Sequence, residues 1–155
     1  DYGELWCSEF VDYVYLQSIL AWDFGNFGEV ADVMAYFAYK NQLDGGEMAR
    51  ANMHGVPFNG AIPDHPARPG DYLAMNTSAE AGKQSHSSLF LSSEQCGHPA
   101  SCYEQALWKI GGNESRRVRL TVNWIYRENV DDHGEFVDWY FQALGHLSDE
   151  LPLHP

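Results

Sequence analysis

The stretch Arg117–Ile125, RVRLTVNWI, alternates apolar and polar residues more cleanly than any other part of this 155-residue chain. Its apolar members are Val118, Leu120, Val122 and Trp124, and its polar members are Arg117, Arg119, Thr121 and Asn123. A period of two residues places alternate side chains on opposite faces of a strand. The pattern therefore predicts a β-strand.

Three earlier segments also read as strands. Asp71–Met75 follows the turn-forming residues Arg68-Pro69-Gly70, and the other two segments are His86–Ser92 and Glu104–Ile110. Consecutive strands with no helical pattern between them are typical of an antiparallel sheet, not of βαβ units. The second half of the chain is therefore expected to form an antiparallel sheet of about four or more strands.

Helical periodicity lies on both sides of these strands. We predict helices over Leu5–Ala21 and Glu29–Asn41, and a last helix over Glu135–Leu144 that Gly145 ends. The first helix has an apolar face and a polar face, made respectively of Cys7, Phe10, Val11 and Val14, and of Ser8, Glu9 and Asp12. Leu43–Pro69 is predicted to be a partly irregular connection. The expected architecture is one α+β domain over residues 1–155, with N-terminal helices packed on the sheet.

Composition restricts the function. Hydrophobic residues make up 45% of the chain, and 22 Asp and Glu against nine Lys and Arg give a formal charge of −13. This charge opposes binding to nucleic acid or to an anionic membrane. No apolar run approaches the ~20 residues of a membrane span. We expect a globular protein without nucleic-acid or membrane partners.

The cysteines indicate a compartment. Cys96 and Cys102 lie close together, whereas Cys7 stands alone. A Cys96–Cys102 disulfide is favoured over a zinc site, because no second Cys/His pair of matching spacing accompanies them. No metal or cofactor is expected. The chain begins at Asp1, which suggests removal of a targeting segment, so we expect a secreted or periplasmic protein.

Three positions combine into a candidate catalytic set. Cys7 falls in the first turn of a helix, where free N–H groups and the helix dipole stabilise a thiolate. His86 opens a strand and is a candidate base. Asn113 follows Gly111 and Gly112, whose lack of side chains permits close backbone approach, and its carbonyl can orient an imidazole. Taken singly, each position also has an ordinary structural explanation, such as a buried apolar cysteine.

The order of these motifs resembles the CHAP and NlpC/P60 superfamily of compact papain-like cysteine peptidases and amidases. The resemblance covers about Leu5 to Ile125 and is carried by four short motifs, Trp6-Cys7-Ser8-Glu9-Phe10-Val11, Arg68-Pro69-Gly70-Asp71-Tyr72-Leu73, Ser85-His86-Ser87-Ser88-Leu89-Phe90-Leu91 and Ile110-Gly111-Gly112-Asn113. It implies a papain-like fold with Cys7 as nucleophile, His86 as base and Asn113 as the residue that orients His86. Gly111 stands where many CHAP members carry Glu, which leaves the cleaved bond open.

The resemblance implies hydrolysis of peptidoglycan amide bonds through a thioester, either as a muramoyl–L-alanine amidase or as a stem-peptide or cross-bridge endopeptidase. Tyr2, Trp6 and Ser85 are expected to contact the substrate. The alternative is a catalytically degenerate papain-like domain that acts as a binding module, and acyl transfer to a lipid or protein is a third reading. Because many walls are anionic, recognition must come from the groove, a separate wall-targeting domain, or a cationic partner. A cognate inhibitor is also compatible with the sequence.

Overall fold

The computed structural model describes residues 6–18, 27–45, 66–75, 86–95, 105–113, 115–125 and 143–147. These residues form two helices and six strands, which in chain order are α1 (Cys7–Gln17), α2 (Val30–Tyr39), β1 (Leu43–Gly45), β2 (Tyr72–Met75), β3 (His86–Gln95), β4 (Gln105–Gly111), β5 (Arg119–Ile125) and β6 (Ala143–Gly145). The strands make one sheet in the order β1-β6-β2-β3-β4-β5, and every pairing is antiparallel. The predicted α+β class and the antiparallel sheet are confirmed.

Strand β3 organises the middle of the sheet. It pairs with β2 from Tyr72 opposite Leu89 to Met75 opposite His86. On its other side it pairs with β4, beginning with Ser88 opposite Gly111. The register shifts between Phe90 and Ser92, as at a β-bulge. His86 consequently lies at the beginning of a strand that is paired on both sides.

The two helices cover one face of the sheet. Their buried core contains side chains from both helices and from alternate strand positions, namely Cys7, Val11, Tyr15, Val30, Val33, Phe37, Tyr72, Ala74, Leu89 and Ala143. The ring of Phe37 stacks on Tyr72 with centroids 5.4 Å apart and meets Tyr15 edge-on at 6.2 Å. Full burial of each large apolar side chain contributes about 1.5–3 kcal/mol to folding.

The other face of the sheet is buried as well. Its core consists of Leu73, Met75, Phe90, Leu107 and Leu144. Strand β2 is therefore buried on both faces, which explains why its sequence is a continuous apolar run and does not alternate.

The last predicted helix is wrong at its C-terminal end. Leu144 and Gly145 belong to strand β6, and residues 135–142 lie outside the described part of the chain. A β carbon at Gly145 would come within 2.5 Å of the Phe37 ring. The glycine does not end a helix there, but lets α2 pack directly on β6. Leu43–Gly45, predicted to be irregular, is the strand that pairs with β6.

The first helix also differs from its prediction. It ends at Gln17, where Ser18 turns to an extended conformation, and does not continue to Ala21. Ser8 and Asp12 were assigned to its polar, outward side, yet they are 0% and 3% exposed. Both side chains form hydrogen bonds inside the protein, which an amphipathic pattern does not reveal.

Neither described helix combines the length and apolar character that crossing a membrane would require. The helices have 11 and 10 residues, respectively.

Candidate active site

Cys7 is the first residue of α1, and Trp6 occupies the position that precedes the helix. The first N–H groups of a helix have no carbonyl partner within it, so they point toward whatever lies beyond the N-terminus. The Cys7 side chain lies among them and is only 3% exposed. The structure thus places this thiol where an anion is stabilised.

The His86 side chain lies close to the Cys7 thiol and influences its ionisation. Burial by itself would raise the pKa of the Cys7 thiol. Hydrogen bonding and charge from His86, together with backbone hydrogen bonding from Ser87 and Ser8, outweigh burial and leave the pKa below its ordinary value. Helix α1 and strand β3 together therefore form a thiol–imidazole pair whose surroundings favour the thiolate.

Asn113 follows the end of β4 by two residues. The last β3–β4 pair is Ser88 with Gly111, where β4 ends. Asn113 has φ 58°, a left-handed conformation that asparagine adopts more readily than most residues. A residue in this conformation does not continue an extended strand, so the register ends at Gly111. The role of Asn113 in orienting His86 stays a prediction.

Gly112 brings this turn against α1. A β carbon at Gly112 would lie 2.4 Å from the Phe10 β carbon and 2.9 Å from the Trp6 ring. Such distances exclude any side chain at this position. The predicted close backbone approach is confirmed for Gly112, and it places Trp6 where the turn after β4 meets the beginning of α1.

The other residues of the predicted site lie outside the described part of the chain. These are the substrate-contact candidates Tyr2 and Ser85 and the disulfide candidates Cys96 and Cys102. Their roles remain predictions. Cys7 is a free thiol.

A chain of buried hydroxyl groups beside the pair was not expected from the sequence. The Ser8 and Ser87 hydroxyl oxygens are 2.9 Å apart, and the Tyr72 hydroxyl is 2.9 Å from that of Ser87. All three residues are 0% exposed. The only signal in the sequence is that a serine directly follows both Cys7 and His86.

Asp12 is a buried carboxylate on the same helix. Its Oδ2 accepts a hydrogen bond of 2.6 Å from the Phe27 N–H, whereas its buried Oδ1 has no partner in the described structure. Burial raises the pKa of Asp12 to about 6, and the nearby charge of Glu9 adds to this rise. Asp12 therefore links α1 to the segment that enters α2.

A second titratable cluster joins β1, β2 and β6. The His146 Nε2 is 2.7 Å from an Asp44 carboxylate oxygen, and its Nδ1 is 3.3 Å from Asp71 Oδ2. Asp71 also accepts hydrogen bonds from the backbone N–H groups of Arg68 and Leu147. Asp71 immediately precedes β2, whereas His86 pairs with the other end of that strand. The cluster and His86 thus lie at opposite ends of β2.

In the part of the chain that the structure describes, no group of His, Cys, Asp and Glu side chains is arranged to hold a metal ion. Both ring nitrogens of His146 face carboxylates, as in a structural ion-pair cluster.

Fold and site together define an α+β protein with a buried thiol–imidazole pair between a helix N-terminus and a strand. The chain matches no family model, and searches of curated proteins and of solved structures find no significant match.

Proposed function

We propose that this protein is a papain-like thiol hydrolase of the CHAP or NlpC/P60 type, which cleaves amide bonds in peptidoglycan. The observation that supports it most concerns Cys7, at the beginning of α1, and His86, at the beginning of β3. Burial raises the pKa of the Cys7 thiol, but hydrogen bonding and charge from His86, together with backbone hydrogen bonding, outweigh burial and lower it. A thiolate held at a helix N-terminus beside an imidazole is the arrangement that cysteine hydrolases use.

The reaction begins with attack of the Cys7 sulfur on the amide carbonyl carbon. Backbone N–H groups at the beginning of α1, including that of Cys7, stabilise the oxyanion that forms. The C–N bond then breaks as protonated His86 gives its proton to the leaving amine, and a thioester remains on Cys7. His86 next takes a proton from water, the hydroxide attacks the thioester, and the carboxylate product leaves as the sulfur–carbon bond breaks.

Asn113 serves as the residue that orients His86. Its carboxamide oxygen accepts a hydrogen bond from one ring N–H and so leaves the other nitrogen facing the sulfur. The support for this role is that β4, which pairs with β3, ends two residues before Asn113, and that its last pair joins Gly111 to Ser88, two residues after His86.

Incubation with purified sacculi, followed by mass analysis of the released fragments, tests the function. We expect the wild type to release fragments that carry new amine and carboxyl ends, and Cys7→Ala to release none. Folding of Cys7→Ala is checked by thermal unfolding. Absence of products from sacculi of several wall chemotypes would refute the peptidoglycan assignment.

A second candidate, a degenerate domain that binds without catalysis, is favoured by one observation. Cys7 and His86 are only 3% and 9% exposed, which is little for residues that must reach a substrate. Labelling of the native protein with a small alkylating reagent discriminates the two functions. A catalytic Cys7 reacts in the folded state and loses this reactivity in His86→Ala, whereas a core thiol reacts only after unfolding.

A further inference from the structure

We propose that Ser8, Ser87 and Tyr72 act as a positioning device, hereafter the hydroxyl chain, which fixes the beginning of α1, where Cys7 lies, against the beginning of β3, where His86 lies. The catalytic purpose of the hydroxyl chain rests on the proposed function, whereas its geometry does not.

The two serines belong to different elements. Ser8 follows Cys7 on α1, and Ser87 follows His86 on β3. Their side chains meet at 2.9 Å. The hydroxyl contact therefore connects the residue after Cys7 with the residue after His86. Burial raises the pKa of the Cys7 thiol, and backbone hydrogen bonding from these two serines is among the causes that lower it.

Tyr72 extends this connection into the core. Its hydroxyl lies 2.9 Å from the Ser87 oxygen and donates to the Val30 carbonyl at 3.4 Å. One direction of donation gives each hydroxyl a single acceptor, with Ser8 donating to Ser87, Ser87 to Tyr72, and Tyr72 to Val30. Since all three hydroxyl-bearing residues are fully buried, water cannot replace a lost partner. The hydroxyl chain joins α1, β3, β2 and the beginning of α2.

Position matters because the interaction of His86 with the Cys7 thiol depends on distance and angle, and α1 and β3 are far apart in sequence. Removal of one hydroxyl leaves a buried neighbour unsatisfied and frees α1 to shift relative to β3. Such a shift weakens the interactions from β3 that oppose burial and favour the thiolate. We therefore expect loss of any member to raise the pKa of the Cys7 thiol.

The protein offers a matched control for the substitution Tyr72→Phe. Tyr15 is also fully buried in the same core, and its hydroxyl donates to the Gly70 carbonyl at 2.8 Å. It lies eight residues beyond Cys7 on α1, roughly 12 Å away along the helix axis. Tyr15→Phe and Tyr72→Phe each remove one buried hydroxyl and keep the ring, but only Tyr72 belongs to the hydroxyl chain.

The test is titration of the Cys7 thiolate by its ultraviolet absorbance, with the Cys7→Ala signal in each background subtracted. Ser8→Ala, Ser87→Ala and Tyr72→Phe should each move the midpoint upward. The expected shift corresponds to about a three- to tenfold loss of thiolate at a pH below both midpoints. Tyr15→Phe should titrate like the wild type, and the shift in Ser8→Ala/Ser87→Ala should be smaller than the sum of the single shifts.

Wild-type titration in both Ser87→Ala and Tyr72→Phe would overturn the proposal, as would an equal shift in Tyr15→Phe. If Ser87→Ala does not fold, Tyr72→Phe and Ser8→Ala decide the outcome. The titration requires no turnover. A protein that cleaves no sacculi but shows these shifts would refute the proposed function and leave the positioning role intact.

Discussion

Gly112 and Phe10 meet so closely that a β carbon on the glycine would lie 2.4 Å from the β carbon of the phenylalanine. The turn that follows β4 therefore packs against α1 within one turn of Cys7. Because Asn113 directly follows Gly112, this contact brings the turn that carries Asn113 close to the beginning of α1, where Cys7 lies.

Gly112→Ala should force these elements apart. We expect a loss of about 1–3 kcal/mol in the free energy of unfolding, as for other overpacked sites, measured by urea denaturation. Gly45→Ala is the control, since a β carbon at that position meets no atom within 4 Å. An equally stable Gly112→Ala variant would show that Phe10 can give way, and would contradict this account of the contact.

His86→Ala should raise the pKa of the Cys7 thiol, because it removes both the hydrogen bond and the charge interaction that favour the thiolate. With burial left to act, alkylation at about pH 7 should slow by at least about tenfold. The rate of labelling by a small haloacetamide against pH measures this effect. An unchanged rate profile would mean that His86 does not activate the thiol.

Asn113→Gly separates the backbone role of this residue from its side-chain role. Glycine accepts the positive φ of 58° without strain, so stability should change by less than about 1 kcal/mol. Hydrolysis should nevertheless fall at least about tenfold, because in the proposed mechanism the Asn113 carboxamide orients the imidazole. The turnover rate and the urea midpoint are measured on the same sample. Full activity in Asn113→Gly would assign the residue to the turn alone.

His146→Gln should cost most in mildly acidic solution. Burial lowers the pKa of His146, but hydrogen bonds and charge from Asp71 and Asp44 outweigh burial and raise it. A raised histidine pKa stabilises the fold fully below the unfolded value of about 6.5, and this contribution is lost as pH rises through the folded pKa. Helix α1 also contributes a titratable group near this cluster, because its Tyr15 lies near Asp71.

We expect His146→Gln to lose about 3–5 kcal/mol at about pH 6, because two buried carboxylates lose their cation. The difference from the wild type should shrink in alkaline solution. Urea denaturation over a pH series measures it. A difference that grows with pH would contradict the assigned charge of the cluster.

Asp12→Asn should stabilise the protein at neutral pH. Burial raises the pKa of Asp12 from 3.8 to about 6, so the folded state holds this proton more tightly than the unfolded chain does. The contribution of Asp12 to the free energy of unfolding is therefore greatest below about pH 4 and declines as the pH rises to about 6. Asparagine keeps an acceptor for the Phe27 N–H and carries no charge. The expected gain is on the order of 1 kcal/mol at about pH 7.5, and smaller at about pH 4.5. Equal losses of stability in Asp12→Asn at both pH values would refute this prediction.

Much of the fold could be read from local patterns. Helix α2 and strands β2 to β5 appear close to their predicted bounds, because each is long enough to display its period or is bounded by turn residues. The strands β1 and β6 were missed, since three residues show no period. They exist because they pair with each other and because β6 pairs with β2.

The candidate site divides in the same way. The types and order of Cys7, His86 and Asn113 are visible in the sequence, and they indicated a thiol, a base and an orienting amide. The burial of Ser8 and Asp12 and the contacts of Ser87, Tyr72 and His146 were not visible. A polar residue on a helix looks the same in sequence whether it faces water or a buried partner.

Local sequence was thus sufficient for the presence of α1 and α2, the longer strands and the chemistry that the chain could carry. Only the tertiary structure decided which groups meet, as when the hydroxyls of Ser8 and Ser87 come within 2.9 Å. The physical reason is that periodicity depends on neighbours along the chain, whereas a hydrogen bond between α1 and β3 depends on how the sheet and helices pack.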